Sequence, residues 1–244
     1  MGQRLTEPDL RALTFIAEHR LLLPGHVAVL LDVSVTAATA RLRKLAEARY
    51  LRKECVFGDR PHYQITRRGL VAIGSSLPTP RGDLRVYEHD IGVAWLWLAA
   101  RAGTFGPLEA LVGERRLRSY DGAREPESEP LGVRLGGMGP RGRERLHYPD
   151  LLLRTADGRR IALELELTPK SRTRLEAILA GYGSEPRIAG VVYLVERPAI
   201  ARSVETGARR VGVSDLVHVQ RVRSSISAPA ARTLGVERAL EAGR

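Results

Sequence analysis

Apolar residues recur at helical spacing near the start of the chain, at Leu10, Leu13, Ile16 and Ala17. This predicts an amphipathic helix over residues 8–19 with Pro8 in its tolerant first turn. Pro24 opens a second, shorter helix through Leu31, with Val27, Leu30 and Leu31 as its apolar positions. Ser34 is placed to cap a third, in which Val35, Ala38, Leu42 and Leu45 make the buried stripe while Thr36, Thr39, Arg43 and Lys44 project away from it. The pattern then changes to that of a hairpin. Tyr50–Phe57 reads as a strand, Gly58-Asp59-Arg60-Pro61 as a turn and His62–Thr66 as the return strand, with a short helix from Gly69 to Ile73. Cys55 falls inside the first strand's apolar pattern and is expected in the core.

The stretch from Ser75 is rich in Ser, Pro and Gly and predicts a linker. The expected division is a first domain over 1–75, a linker over 76–83, a second domain over 84–224 and a tail over 225–244 with a last helix near 232–241. Asp90–Ala102 is apolar around most of its circumference (Ile91, Val93, Trp95, Leu96, Trp97, Leu98), so it should be a buried helix, with its two tryptophans in a core or on a dimer face. Residues 121–147 show no period and a high content of Gly, Pro, Arg and Glu, which predicts a long irregular loop. Leu151–Thr155 and Ile161–Leu167 read as a strand pair joined by Ala156-Asp157-Gly158-Arg159. Helix over Ser171–Gly183, strand over Ile188–Val195, helix over Ala199–Val211 and strand over Leu216–Val222 complete an α/β order.

Charge narrows the partner. Lys and Arg total 39 against 28 Asp and Glu, a formal net charge of +11. A polyanion suits that balance, because phosphate neutralisation releases counterions and supplies affinity without sequence readout. Only Lys44, Lys53 and Lys170 are lysines, so arginine dominates, the side chain suited to bidentate phosphate and guanine contacts. A single cysteine excludes an intrachain disulfide. The longest apolar run, Ile91–Ala100, falls well short of the ~20 residues that span a bilayer, and no leader-like segment opens the chain, so a cytoplasmic location is expected. No phosphate loop ends in Gly-Lys-Ser/Thr, and the six histidines are scattered, so neither a small-molecule ligand nor a zinc site is expected.

Alternation carries the most pointed chemistry. In Ile161–Leu167 the apolar Ile161, Leu163, Leu165 and Leu167 face one way, and Ala162, Glu164 and Glu166 the other. Asp150 begins the neighbouring strand, so the hairpin can gather three carboxylates. Like charges raise one another's pKa, and Mg²⁺ relieves such a cluster while retaining water for phosphodiester chemistry. The plainer reading of the same alternation is an amphipathic hairpin with its acidic face in water.

Three helices and a hairpin, with "VSVTAATARLRKLAEARYLRK" and then "FGDRPHYQITRRG", resemble the MarR-like winged-helix regulators, although Arg49-Tyr50 stands where that pattern usually has a glycine. The resemblance implies groove contacts by Thr36, Thr39 and Arg43, a wing tip at Arg60, and phosphate contacts by Lys44, Arg52, Arg67 and Arg68. "YPDLLLRTADGRRIALELELTPKS" resembles the restriction-endonuclease-like fold, whose motif is Pro-Asp followed by Asp/Glu-x-Lys. That implies Asp150 and Glu164 as ligands of Mg²⁺ or Mn²⁺. Glu166 stands where the family has its catalytic lysine, and Lys170 is the basic group within reach. The whole order, including "YEHDIGVAWLWLAARAG", "GERRLRSYDG" and "RLEAILAGY", resembles the replication-relaxation family of plasmids and mobile elements, whose second strand tends to read Glu-x-Asp. Glu114 is a further acidic candidate.

The expected fold is therefore an α+β winged helix-turn-helix followed by a smaller α/β domain with a restriction-endonuclease-like mixed sheet. The expected function is sequence-specific binding of double-stranded DNA by a homodimer, as a regulator or replication/relaxation accessory factor. A metal-dependent endonuclease or nickase, and a protein-interaction module of a replication or conjugation complex, are the alternatives.

Overall fold

A computed structural model describes residues 4–55, 61–125, 127–139 and 142–222. Arg60 and the tail 225–244 lie outside the described residues. The chain is mixed α+β and divides into two compact units, Met1–Leu98 and Ala99–Arg244.

The first unit contains α1 (Glu7–Glu18), α2 (Pro24–Leu31), α3 (Val35–Glu47), a hairpin of β1 (Leu51–Cys55) and β2 (Pro61–Ile65), α4 (Arg67–Ala72) and most of α5 (Tyr87–Arg101). Local chemistry sets the helix ends. Thr6 and Asp9 form a capping box at α1, Ser34 Oγ accepts the Ala37 N–H at 3.2 Å, and Thr66 Oγ1 accepts the Gly69 N–H at 3.1 Å. The chain bends by 110° between α2 and α3, with Asp32 in the left-handed region at φ 54. At the other end of α3, Arg49 sits at φ 62 while its N–H bonds Ala46 O and the Tyr50 N–H bonds Leu45 O, a Schellman close. Leu13, Ile16, Val27, Ala38, Leu42, Leu45, Tyr63 and Leu70 fill the core. Leu22 exchanges backbone hydrogen bonds with Tyr63, adding a bridge to the hairpin.

Two expectations are corrected here. Cys55 is exposed, because Leu51 is the one β1 residue that reaches the core. The boundary falls after Leu98 and not at 76–83, because Ala94 and Leu98 of α5 pack into the first core. Trp97 lies 4.9 Å from Phe15 and Trp95 lies 4.2 Å from His26, ring centre to ring centre, so both half-buried indoles pack against that core.

The second unit is built on a 5-stranded mixed sheet ordered β3-β6-β7-β8-β9. The strands are β3 (Leu108–Gly113), β6 (Leu151–Thr155), β7 (Arg160–Glu166), β8 (Gly190–Val195) and β9 (Val217–Arg221). The first three pair antiparallel, and β7, β8 and β9 run parallel through the crossover helices α7 (Arg172–Gly183) and α8 (Pro198–Arg210). One sheet face, through Leu152, Ala162, Val191, Tyr193 and Val195, packs with Leu175, Ile178, Leu179 and Tyr182 of α7 and Ile200 and Val204 of α8.

The expected loop 121–147 is largely ordered structure. The helix α6 (Glu114–Ala123) runs into it, and β4 (Val133–Met138) pairs antiparallel with β5 (Glu144–His147). Arg134 bridges Glu129 and Glu144, at 2.8 and 2.9 Å. Beyond backbone pairing and surface ions, the pair is held by Val133, Leu135 and Leu146 against the second core, too few apolar positions among the glycines and charges to make a clear period. At Gly181 an added Cβ would come within 2.7 Å of the Arg134 carbonyl, so glycine is what lets β4 lie against α7.

Candidate functional site

Two places gather the residues that the sequence singles out. The first is the outer face of α3. Ala38, Leu42 and Leu45 are fully buried, while Thr36, Ala37, Ala40, Arg43 and Lys44 are exposed. Arg41, between them, turns inward and donates to Asp9 Oδ1 at 2.5 Å, which ties α3 to α1. Arg43 is loosely paired with Glu47 at 3.6 Å, both side chains being two-thirds exposed. Such a pair is worth little in water and is easily exchanged for another anion. Lys44, Lys53 and Arg67 are exposed with no ion pair among the described residues. Arg68 lies over the Tyr50 ring at 4.9 Å. Arg52 is already engaged with Glu54 at 2.7 Å and with Gln64, so its charge is partly cancelled. Thr39 is half-buried and its hydroxyl donates to the Val35 carbonyl at 2.7 Å. The hydroxyl is thereby engaged by its own helix.

The second place is inside the other unit. Asp150, Glu164 and Glu166 are 8%, 3% and 5% exposed. The expectation of an acidic face in water is overturned, because α7 and α8 cover the side of the sheet that carries them. Each carboxylate is answered. Asp150 Oδ2 accepts the Leu165 N–H at 2.8 Å. Glu164 Oε1 accepts the Tyr182 hydroxyl and lies 2.6 Å from His147 Nε2. Glu166 is ion-paired with Lys170, one side chain being almost wholly buried and the other largely so. Burial pulls the Lys170 ammonium below its ordinary value, opposed by the attraction of Glu164 and Asp150. Burial, and then the Glu164 carboxylate, push the Tyr182 hydroxyl well above the usual tyrosine range, so it remains a donor. Tyr193 faces Glu164 across the β7–β8 register, is raised for the same reasons, and its buried hydroxyl has no hydrogen-bond partner among the described residues.

The lysine does reach back, and the carboxylate it bonds is Glu166, with Glu164 and Asp150 acting on it by charge. Among the described residues no three His, Cys, Asp or Glu side chains are grouped to hold a metal. A donor set of two carboxylates fits Mg²⁺, which retains several waters, and does not fit a zinc site of three or four protein ligands. Glu114 begins α6 and pairs with Arg118 at 2.8 Å. His147, Tyr182 and Tyr193 were not singled out in the sequence. The one available signal was His147 two residues ahead of Pro149-Asp150.

No family model and no curated protein matches the chain. No single helix among the described residues is long and apolar enough to cross a membrane.

Proposed function

We propose that the protein binds double-stranded DNA in the cytoplasm, with its first unit acting as a winged helix-turn-helix that lays α3 in the major groove. The observation that carries this reading is the outward face of α3, set at 110° to α2 across a three-residue turn and bearing exposed Thr36, Arg43 and Lys44. A helix pair at that angle with so short a turn is the geometry of groove-reading helix-turn-helix modules. The Leu22–Tyr63 bridge and the β1–β2 hairpin add the remaining parts of a wing. Exposed Lys44, Lys53, Arg67 and Arg68 supply the phosphate contacts, in keeping with a net charge of +11. The role that follows is that of a regulator or replication/relaxation accessory factor of a plasmid or mobile element, acting as a homodimer on a two-fold site. The test is duplex binding by fluorescence anisotropy at fixed salt. Wild type is expected to bind with a steep salt dependence, and the absence of binding at low salt would return the unit to a protein-interaction role.

A second reading, a metal-dependent endonuclease with a restriction-endonuclease-like second unit, is favoured by one specific observation. A lysine and two further carboxylates share a buried site with an unpartnered tyrosine hydroxyl. Asp150 and Glu164 would hold Mg²⁺ or Mn²⁺, which when bound supplies an activated water for phosphodiester hydrolysis. Tyr182 and His147 fix the Glu164 carboxylate, and Lys170 offsets the negative charge around it. Supercoiled plasmid incubated with either metal should be nicked by wild type and left intact by Glu164→Gln. Intact plasmid with wild type after hours in both metals removes this reading and leaves the first untouched.

A further inference from the structure

The outward side of the leading half of α3 offers few hydrogen-bonding groups, the exposed Asp32 carboxylate lying before it in the turn. Val33 is 42% exposed in the turn, and Ala37 and Ala40 are exposed one helical turn apart on α3, whereas Val35, expected in the buried stripe and in fact 44% exposed, lies on another side of the helix. The Ser34 hydroxyl accepts the Ala37 N–H as the helix cap, and the Thr39 hydroxyl donates to Val35 O. Thr36 is left as the one uncommitted hydroxyl on this face, with a methyl group beside it. Arg43 follows one turn after Ala40, and Lys44 borders the face.

Base edges in the major groove are told apart by donors, acceptors and a single apolar feature, the C5 methyl of thymine. Adenine is read by the paired donor and acceptor of Asn or Gln, and cytosine by the acceptor of Asp or Glu; neither type stands on this part of α3. A patch of valine, alanine and threonine methyls, bordered by the solvated cations Arg43 and Lys44, complements thymine methyls within a polyanion. Arginine is the side chain that takes guanine O6 and N7 together.

We infer that α3 reads thymine C5 methyl groups through Val33, Ala37 and Ala40, followed by a guanine through Arg43. This rests on the duplex-binding reading of α3. It names the target chemistry: a duplex with thymines stacked next to guanine, bound for its methyls as much as for its hydrogen bonds.

Two selections test it, using the full chain and random duplex pools that differ only in carrying thymine or deoxyuracil. The thymine pool should converge on thymine-guanine steps. The best duplex, remade with deoxyuracil, should bind about fourfold more weakly for each methyl contacted, the loss expected for one buried methyl-sized group. Ala37→Ser and Ala40→Ser together should bring the thymine-to-uracil ratio towards one. Lys53→Ala should weaken both duplexes equally and leave the ratio unchanged. Helical content by circular dichroism checks that the exposed serines leave α3 folded. Enrichment with equal affinity for thymine and uracil duplexes would overturn the methyl reading while leaving DNA binding in place. No enrichment from either pool at low salt would overturn both.

Discussion

The two units handle charge in opposite ways. On the outer face of α3 the cations are solvated and either loosely paired or without an ion pair among the described residues, as with Arg43 and Lys44. On β7 the carboxylates are buried and each engaged by a specific neighbour, as with Glu164 and Glu166. In sequence both are polar positions alternating with an apolar stripe. The difference lies in what covers them, and it sets the function each can have. A solvated cation costs little to keep and little to transfer to a phosphate. A buried anion is costly unless answered, so its neighbours are as constrained as the group itself.

The comparison breaks most sharply at Lys170. Lys170→Met strands Glu166 in the interior and should cost roughly 3 kcal/mol of stability in urea denaturation. The pair Glu166→Gln with Lys170→Met should recover most of that loss. A single substitution that costs nothing would place the pair with ordinary surface ions and erase the contrast between the units.

The first unit also buries titrating groups, and His26 is the one buried most completely. His26 is fully buried and its Nδ1 accepts the Leu23 N–H at 3.0 Å. Burial lowers its pKa from 6.5 to about 3, so the native state keeps it neutral while the unfolded chain takes up a proton below 6.5. Its contribution is therefore complete above pH 6.5 and falls between 6.5 and about 3, by about 1.4 kcal/mol for each pH unit. The slope of stability against pH in that window, compared between wild type and His26→Phe, should differ by about one proton.

On the surface the effects are smaller and appear in binding rather than folding. Arg43→Ala should weaken a preferred duplex by about 1–3 kcal/mol, and Lys53→Ala should lower the salt slope by about 1 with little change of sequence preference. Stability should be unchanged in both within about 0.5 kcal/mol. Smallest of all is Thr39→Ala. With its hydroxyl already on Val35 O, its loss should shift duplex affinity by less than about 0.5 kcal/mol, whereas Thr36→Val should exceed that.

Much of this organisation was legible in the residue pattern, for physical reasons that differ by element. The helix α3 was, because its cap and its three- and four-residue apolar spacing are local. So was the β6–β7 hairpin, because strict alternation belongs to strands. Hydrophobicity showed that α5 would be buried but not against what, which is why a helix expected to open the second domain packs its Ala94 and Leu98 with the first. The β4–β5 pair was missed, since Val133, Leu135 and Leu146 are short apolar signals set among glycines and charged residues. In the acidic cluster the carboxylates were visible on β7, but Tyr182 and His147 come from other elements that only the fold brings to Glu164. Burial of the three acids was missed for the same reason: alternation identifies a face, and a covering helix decides whether that face is wet.

Arg49 closes α3 in a backbone conformation that glycine adopts freely and an L side chain resists by roughly 1–2 kcal/mol. Its exposed guanidinium is retained at that cost, one residue ahead of the hairpin strand. Arg49→Gly should accordingly raise the melting temperature while removing a positive charge from the unit's surface. On the proposed duplex-binding reading, thermal robustness and long-range attraction to phosphate are set against each other at a single residue.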